Sequence, residues 1–276
     1  MFKLILGRAG TGKTTAVLSR LTKAGQRRKQ VLIVPEQQSH EAERALCRAG
    51  GDRVSLYAEV LSFSRLANRV FSVYGGLAAP ALDGGGRLLL LCAALKSVAP
   101  ELRVYQRPSR KPAFLSGLLA TVDELKTCRI TPEQLWTAGE ESGGGEGDKL
   151  RDLSLIYGAY EAMTARQGAD PRDRLTRLAE ALTREDWAVG KDFYLDAFTD
   201  FTPQERAVLS ALLGKANSVT VALTCGALDG EGESGIFAPA RRTAAFLLRL
   251  AKEAGTTVEA AHWTGPGAPR TAALAH

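Results

Sequence analysis

The sequence predicts an α/β fold: a parallel sheet with helices on both faces, interrupted by an all-helical insertion. Three observations predict it. Short apolar runs recur at Phe2–Leu6, Val31–Val34, Val54–Tyr57, Phe193–Leu195 and Val219–Leu223, most of them continuous rather than alternating, as expected of strands buried on both faces. Helical patterns such as Ser39–Ala49 and Phe63–Val73 lie between them, the β/α alternation of a parallel sheet. Between Ala79 and Gly190 the strand signals vanish.

In chain order, Phe2–Leu6 is the first strand, a glycine-rich turn follows, and Lys13–Ala24 reads as a helix. The strandless stretch reads as helices over Arg87–Val98, Ala113–Cys128, Pro132–Ala138, Leu150–Arg166 and Arg172–Thr183, with Ser142–Gly147 as a flexible loop inside it. The expected organisation is therefore an α/β domain from residues 1–79 and 191–276, carrying a helical insertion at 80–190. Trp263 and the Gly/Pro residues after it read as a loop, and Thr271–His276 as the start of a helix. The chain is therefore expected to be the front portion of a longer protein.

Composition narrows the class. At 276 residues with 45% hydrophobic and 24% charged residues, the chain has the make-up of a globular protein with an ample core. It holds no run of 18 apolar residues and begins on a strand rather than a leader, so no membrane association and a cytoplasmic location are expected. The four cysteines (Cys47, Cys92, Cys128 and Cys225) show no paired spacing and read as small buried hydrophobes. A net charge of +6 permits a polyanionic partner without demanding one. Arg27-Arg28-Lys29 and the group Arg103, Arg107, Arg110 and Lys111 read first as solvated loops, with a nucleic-acid contact as the alternative.

The chemistry-bearing motif is Gly7-Arg8-Ala9-Gly10-Thr11-Gly12-Lys13-Thr14, followed by Thr15. It is a complete phosphate-binding loop with the required strand before it and helix after it. Its glycines let successive N–H groups face phosphate oxygens, and the helix adds its positive end. Lys13 is placed to reach the β- and γ-phosphates of ATP, and the Thr14 hydroxyl to coordinate Mg²⁺. Such a site needs an Asp at the end of a nearby strand, and Asp196 in Phe193-Tyr194-Leu195-Asp196-Ala197-Phe198 is the candidate, acting on Mg²⁺ through water. The next position, where an ATPase carries a water-orienting Glu, is Ala197. An alanine neither accepts a proton nor orients a water, so the site is expected to bind Mg-ATP and hydrolyse it poorly.

Three further segments carry a resemblance. Val31-Leu32-Ile33-Val34-Pro35-Glu36-Gln37-Gln38 falls where superfamily 1 helicases carry the strand and DNA-contacting turn after the loop. Val60–Phe71, with Leu61-Ser62-Phe63-Ser64-Arg65-Leu66, is similar to their next motif, and Leu195–Gln204, ending in Phe201-Thr202-Pro203-Gln204, to their Asp-Glu-x-x-Asp motif with its Glu lost. Together with the loop, these resemble the N-terminal region of AddB, the B subunit of bacterial AddAB helicase–nucleases. The resemblance implies a RecA-like P-loop fold and a helicase-like lobe with degenerate motifs. It also implies an AddA-like motor subunit as heterodimeric partner and a role in recombinational repair of double-strand breaks. It places the nuclease site and its iron–sulfur cluster in a C-terminal part of the parent protein that this chain does not contain. In such helicases the arginine finger comes from a second lobe. Gln37, Ser62, Ser64 and Arg65 become candidate DNA-backbone contacts, and local capping is the competing explanation for them. Where helicases sense the γ-phosphate with Gly-Asp-x-x-Gln, this chain reads Cys225-Gly226-Ala227-Leu228-Asp229. Two other readings remain open: a small-molecule or nucleotide kinase using the same loop, and a scaffold with a vestigial loop.

Overall fold

In the computed structural model, residues 1–78, 80–106, 111–225 and 235–262 are described. Arg107, Arg110, the segment 226–229 and the tail from Trp263 onward, including the helix start expected at Thr271–His276, lie outside the described residues. The chain divides into two compact units. One comprises Met1–Tyr74, Leu178–Phe201 and Glu205–His276; the other comprises Gly75–Arg177 with Thr202–Gln204.

The first unit is built on six parallel strands: β1 (Phe2–Gly7), β2 (Gln30–Ile33), β3 (Ala58–Leu61), β4 (Asp192–Phe198), β5 (Ser218–Thr224) and β6 (Val258–His262). Their order is β3-β2-β4-β5-β1-β6, a RecA-like α/β arrangement in which β5 lies between β1 and β4. Helices α1 (Lys13–Ala24), α2 (Ser39–Gly50), α3 (Phe63–Tyr74), α9 (Pro203–Lys215) and α10 (Ala238–Glu253) connect or flank the strands, as parallel strands require a crossover. One face of the sheet, including Ile5, Leu32, Tyr194 and Ala222, packs against Val17, Leu18 and Leu21 of α1 and Leu46 of α2. Each buried Val, Leu or Ile side chain among these contributes about 1.5–3 kcal/mol.

The strand expected at Val54–Tyr57 is displaced. Asp52–Leu56 forms a 3-10 turn, and the strand is Ala58–Leu61. Gly51, at φ 68°, reverses the chain after α2, and Val54 is buried beneath the turn while Leu56 faces solvent. Tyr57 then gives its carbonyl to the Gln30 N–H at 2.7 Å, so pairing with β2 starts one residue later.

The second unit holds α4 (Gly84–Val98), α5 (Pro112–Cys128), α6 (Pro132–Ser142) and α7 (Gly144–Gln167), and the division between the units falls within α8 (Arg174–Arg184). All six strands lie outside residues 80–190. Leu91, Val122, Leu135, Ile156 and Tyr160 belong to its core. Asp83 caps α4 by accepting from the Gly86 N–H at 2.7 Å, and Thr131 and Gln134 form a reciprocal capping box on α6. The glycine run expected to be a flexible loop is instead mostly helical: Gly143 alone breaks the chain, and α7 starts at Gly144. The reason is close packing. A Cβ on Gly147 would stand 2.4 Å from the Gly139 carbonyl oxygen, so the two glycines let the end of α6 lie against the first turns of α7.

Inside this unit Arg87 is buried. Its Nε lies 3.0 Å from Asp170 and its other nitrogens reach Asp123, while the Tyr160 hydroxyl donates to Asp170 at 2.8 Å. Lys126, also buried, pairs with Asp173 at 2.8 Å and with Glu161. Burial opposes ionisation of Asp170, but the Arg172 N–H, Lys126, Tyr160 and Arg87 hold its carboxyl below the ordinary range.

Candidate nucleotide site at the carboxyl ends of the strands

All the candidate site residues lie at or just beyond the carboxyl ends of parallel strands, the edge where open α/β sheets bind ligands. β1 delivers the loop 7–14, β4 delivers Asp196, and the turns after β2 and β3 deliver Gln37 and Ser62–Arg65. Gly10 and Gly12 take left-handed backbone angles, φ 81° and 87°, which non-glycine residues adopt at a cost of about 1–2 kcal/mol. These two reversals bring the chain round from β1 into α1, whose first turn is Lys13. Thr11 tightens the loop, its hydroxyl donating to the Arg8 carbonyl at 2.9 Å. Gly7 also accepts from the Cys225 N–H at 3.1 Å, which ties the loop to the end of β5.

Lys13 is buried, and its ammonium donates to the carbonyls of Gly7 and Arg8, both at 2.8 Å. Burial lowers its pKa, and Asp196 acts in the opposite sense. Asp196 is only 6% exposed. Desolvation raises its pKa, and the Thr14 hydroxyl, the Ala197 N–H at 2.9 Å and Lys13 all favour its charged form. The Thr14 hydroxyl thus acts on the Asp196 carboxyl, although 182 positions separate them in the chain. Thr14 and Thr15 are otherwise exposed, as are Arg8 and Ala9.

Past Asp196 the strand breaks register with β5, between Leu195 and Phe198. Ala197 sits in that bulge, exposed, with φ 68°, a strained conformation for any residue with a Cβ. Phe198 and Phe201 then pack on Phe63 of α3, with ring centroids 5.5 and 6.4 Å away. Asp200 lies between them in sequence. Burial opposes its ionisation, yet the Thr243 hydroxyl at 2.8 Å, the Phe201 N–H and Arg206 hold its pKa low. Thr243, on α10, is a supporting residue that sequence reasoning missed, because α10 carries no motif.

The DNA candidates separate into two kinds. Ser62 is 3% exposed, and its hydroxyl accepts the Arg65 N–H at 3.2 Å, so it caps α3. Gln37, Ser64 and Arg65 are exposed, and Arg65 pairs with Glu43 at 2.8 Å. The cysteines depart from expectation: Cys225 is buried, but Cys47 and Cys128 are exposed, each on a surface-facing position of its helix. Among the described residues no group of three or more His, Cys, Asp or Glu is arranged to hold a metal, and no helix is long and apolar enough to cross a membrane.

Comparison with known proteins adds a lineage. The family model described as ADDB, N-terminal, matches residues 4–276. A protein of Thermoanaerobacter sp. (strain X514) is 34% identical over 273 residues, covering 97% of this chain and 24% of its own length. One from Desulforudis audaxviator is 39% identical over 267 residues, and one from Clostridioides difficile (strain 630) is 31% identical over 265; each match covers 93% of this chain and 23% of the relative. All three are named as the B subunit of an ATP-dependent helicase/deoxyribonuclease. The chain spans about a quarter of the length of these relatives.

Proposed function

The chain belongs to the AddB N-terminal family, and from that membership together with the loop geometry we propose that it is a nucleotide- and DNA-binding, motor-degenerate helicase-like lobe. It would serve the B subunit of an ATP-dependent helicase/deoxyribonuclease, working beside an AddA-like motor subunit in recombinational repair of double-strand breaks in the cytoplasm. The observation that carries the nucleotide part is the loop turned at Gly10 and Gly12 around a buried Lys13, whose ammonium interacts electrostatically with the buried Asp196. The ammonium chosen for the phosphates is held at the mouth of the loop by the Gly7 and Arg8 carbonyls.

These residues fit Mg-ATP. The loop from Gly7 to Thr15 would hold the phosphates through its N–H groups, Thr14 would supply a hydroxyl ligand, and Asp196 would take a water on the metal. When bound, the metal ion neutralises charge on the β- and γ-phosphates. Lys13 would exchange two neutral carbonyl acceptors for anionic phosphate oxygens, which adds the attraction of opposite charges to bonds its ammonium already makes. Ala197 offers no side-chain base, so nothing from this strand end orients an attacking water. Gln37, Ser64 and Arg65 face solvent on the turns after β2 and β3 and would touch the DNA backbone. Ser62 would act by fixing the turn that presents them.

Calorimetric titration of the chain with Mg-ADP and with a non-hydrolysable ATP analogue tests the nucleotide reading. Binding is expected for the unchanged chain and is expected to vanish in Lys13→Ala. Equal heats from both proteins would remove the loop from any nucleotide role and favour the scaffold reading.

A further inference from the structure

A second charged concavity lies at the amino ends of the strands, on the opposite edge of the sheet from the phosphate-binding loop. It encloses about 490 Å³ and is lined by Lys3, Arg20, Lys23 and Arg28, together with the amino terminus and polar side chains of β4 and β5. The topology creates it. Lys3, Thr220 and Tyr194 are laterally paired across β1, β5 and β4, and so form one row on one face of the sheet. One step further along, Ile5 and Ala222 on the same face are covered by α1. At the row of Lys3 that cover is ending: Arg20 and Lys23 belong to the final turns of α1, and Arg28 stands just before β2.

The charge there is unbalanced. Lys3 is paired with Glu259 at 3.0 Å, and Arg20 feels that same carboxylate only weakly, through space. Asp192, the carboxylate in the lining, is already engaged by the Ser218 hydroxyl at 2.6 Å, by Asn217 Nδ2 at 2.5 Å and by Gln30 Nε2 at 3.3 Å. Arg20, Lys23 and Arg28 have no carboxylate within ion-pair distance among the described residues, and all three reach solvent at least in part. Cations beside hydroxyl and amide groups are the side-chain inventory of phosphate-backbone contacts. A peptide-docking groove would instead be anchored by apolar and aromatic side chains, and here Met1 and Tyr194 are the only large apolar bodies among the described residues of the lining.

We propose that this cleft is a second, sequence-independent contact for the phosphodiester backbone of a nucleic-acid strand, with Arg20, Lys23 and Arg28 as its cations. It gives the Arg27-Arg28-Lys29 cluster a use, through Arg28 alone. The inference rests on the DNA-handling role proposed above, but it places a contact where a helicase track across the carboxyl edge does not run.

The test uses the full 276-residue chain and a fluorescein-labelled single-stranded oligonucleotide, with anisotropy followed across a salt series. Three variants are compared: R20Q/K23Q/R28Q in the cleft, R44Q/R48Q/R53Q with the same charge loss on exposed positions outside it, and S64A/R65Q on the carboxyl edge. The cleft variant should bind about tenfold or more weakly at low salt, and its log–log salt slope should fall by about 2–3, near one for each phosphate no longer neutralised. The charge-matched variant should lose much less. Equal losses in those two variants would overturn the proposal, because net charge alone would then explain binding. A loss confined to S64A/R65Q would overturn it while leaving the carboxyl-edge reading intact. Absence of DNA binding by the unchanged chain would overturn both. If poly-glutamate binding falls in the cleft variant while DNA binding does not, the cleft belongs to an acidic protein and the proposal fails.

Discussion

Asp196 is held where ionisation is penalised. Burial raises its pKa above the unfolded value, against the pull of Thr14, Ala197 and Lys13. A carboxyl raised in this way stabilises the fold most when protonated, below its unfolded pKa, and that contribution is lost as pH rises through the folded pKa. At neutral pH the ionised Asp196 therefore works against folding. Asp196→Asn is expected to melt higher than the unchanged chain at pH 7 without nucleotide, with the gap narrowing as pH falls toward the carboxylate range. The same substitution should weaken magnesium-dependent nucleotide binding. Thermal melts at several pH values, paired with calorimetry, check both signs; a lower melting temperature at pH 7 would mean that the carboxylate is structural. Ala197 is the neighbouring strain. Its φ of 68° is relieved by glycine, so Ala197→Gly should stabilise the chain by roughly 1 kcal/mol in urea unfolding, against the usual sign for Ala→Gly.

Helices and strands show where sequence patterns hold and where packing overrides them. The loop 7–14, with its strand and helix, was legible because its glycines, lysine and threonine are all needed locally. Asp196 was legible as the end of an apolar strand. β3 was misplaced because Val54-Ser55-Leu56-Tyr57 has strand-like composition, whereas the reversal at Gly51 and the pairing of Gln30 with Ala58 decide the register. The run Ser142–Gly147 reads as a linker by composition. Only the structure reveals that Gly139 and Gly147 are small so that α6 and α7 can meet. Gly147→Ala tests this at the element scale. A solvated helical glycine gains about 0.5–1 kcal/mol when replaced by alanine. Here the added Cβ meets backbone at 2.4 Å, so a loss of about 1–3 kcal/mol is expected in urea unfolding. A gain would return the segment to a loose connection. The network of Arg87, Asp123, Lys126 and Asp170 was illegible for a different reason: its members come from α4, α5 and the turn after α7, and none sits in a motif.

For the whole molecule, a net charge of +6 says little until its distribution is known. The structure gathers part of that excess at the amino edge of the sheet, while the phosphate-binding loop and the exposed Gln37, Ser64 and Arg65 lie at the carboxyl edge. The central claim is that the loop binds nucleotide without turning it over. Two deficits support it: Ala197 lacks the carboxylate that orients water, and an arginine finger, worth about 10³–10⁵ in rate, belongs by resemblance to another lobe. Restoring the carboxylate alone, by Ala197→Glu, should therefore leave ATP turnover slow. The most direct measurement is steady-state phosphate release by the unchanged chain at saturating Mg-ATP, with and without single-stranded DNA, in samples whose nucleotide binding has been verified by calorimetry. Release at or near background with nucleotide bound is the expected result; turnover above about 1 per second, within the ordinary range of enzymes, would contradict the account.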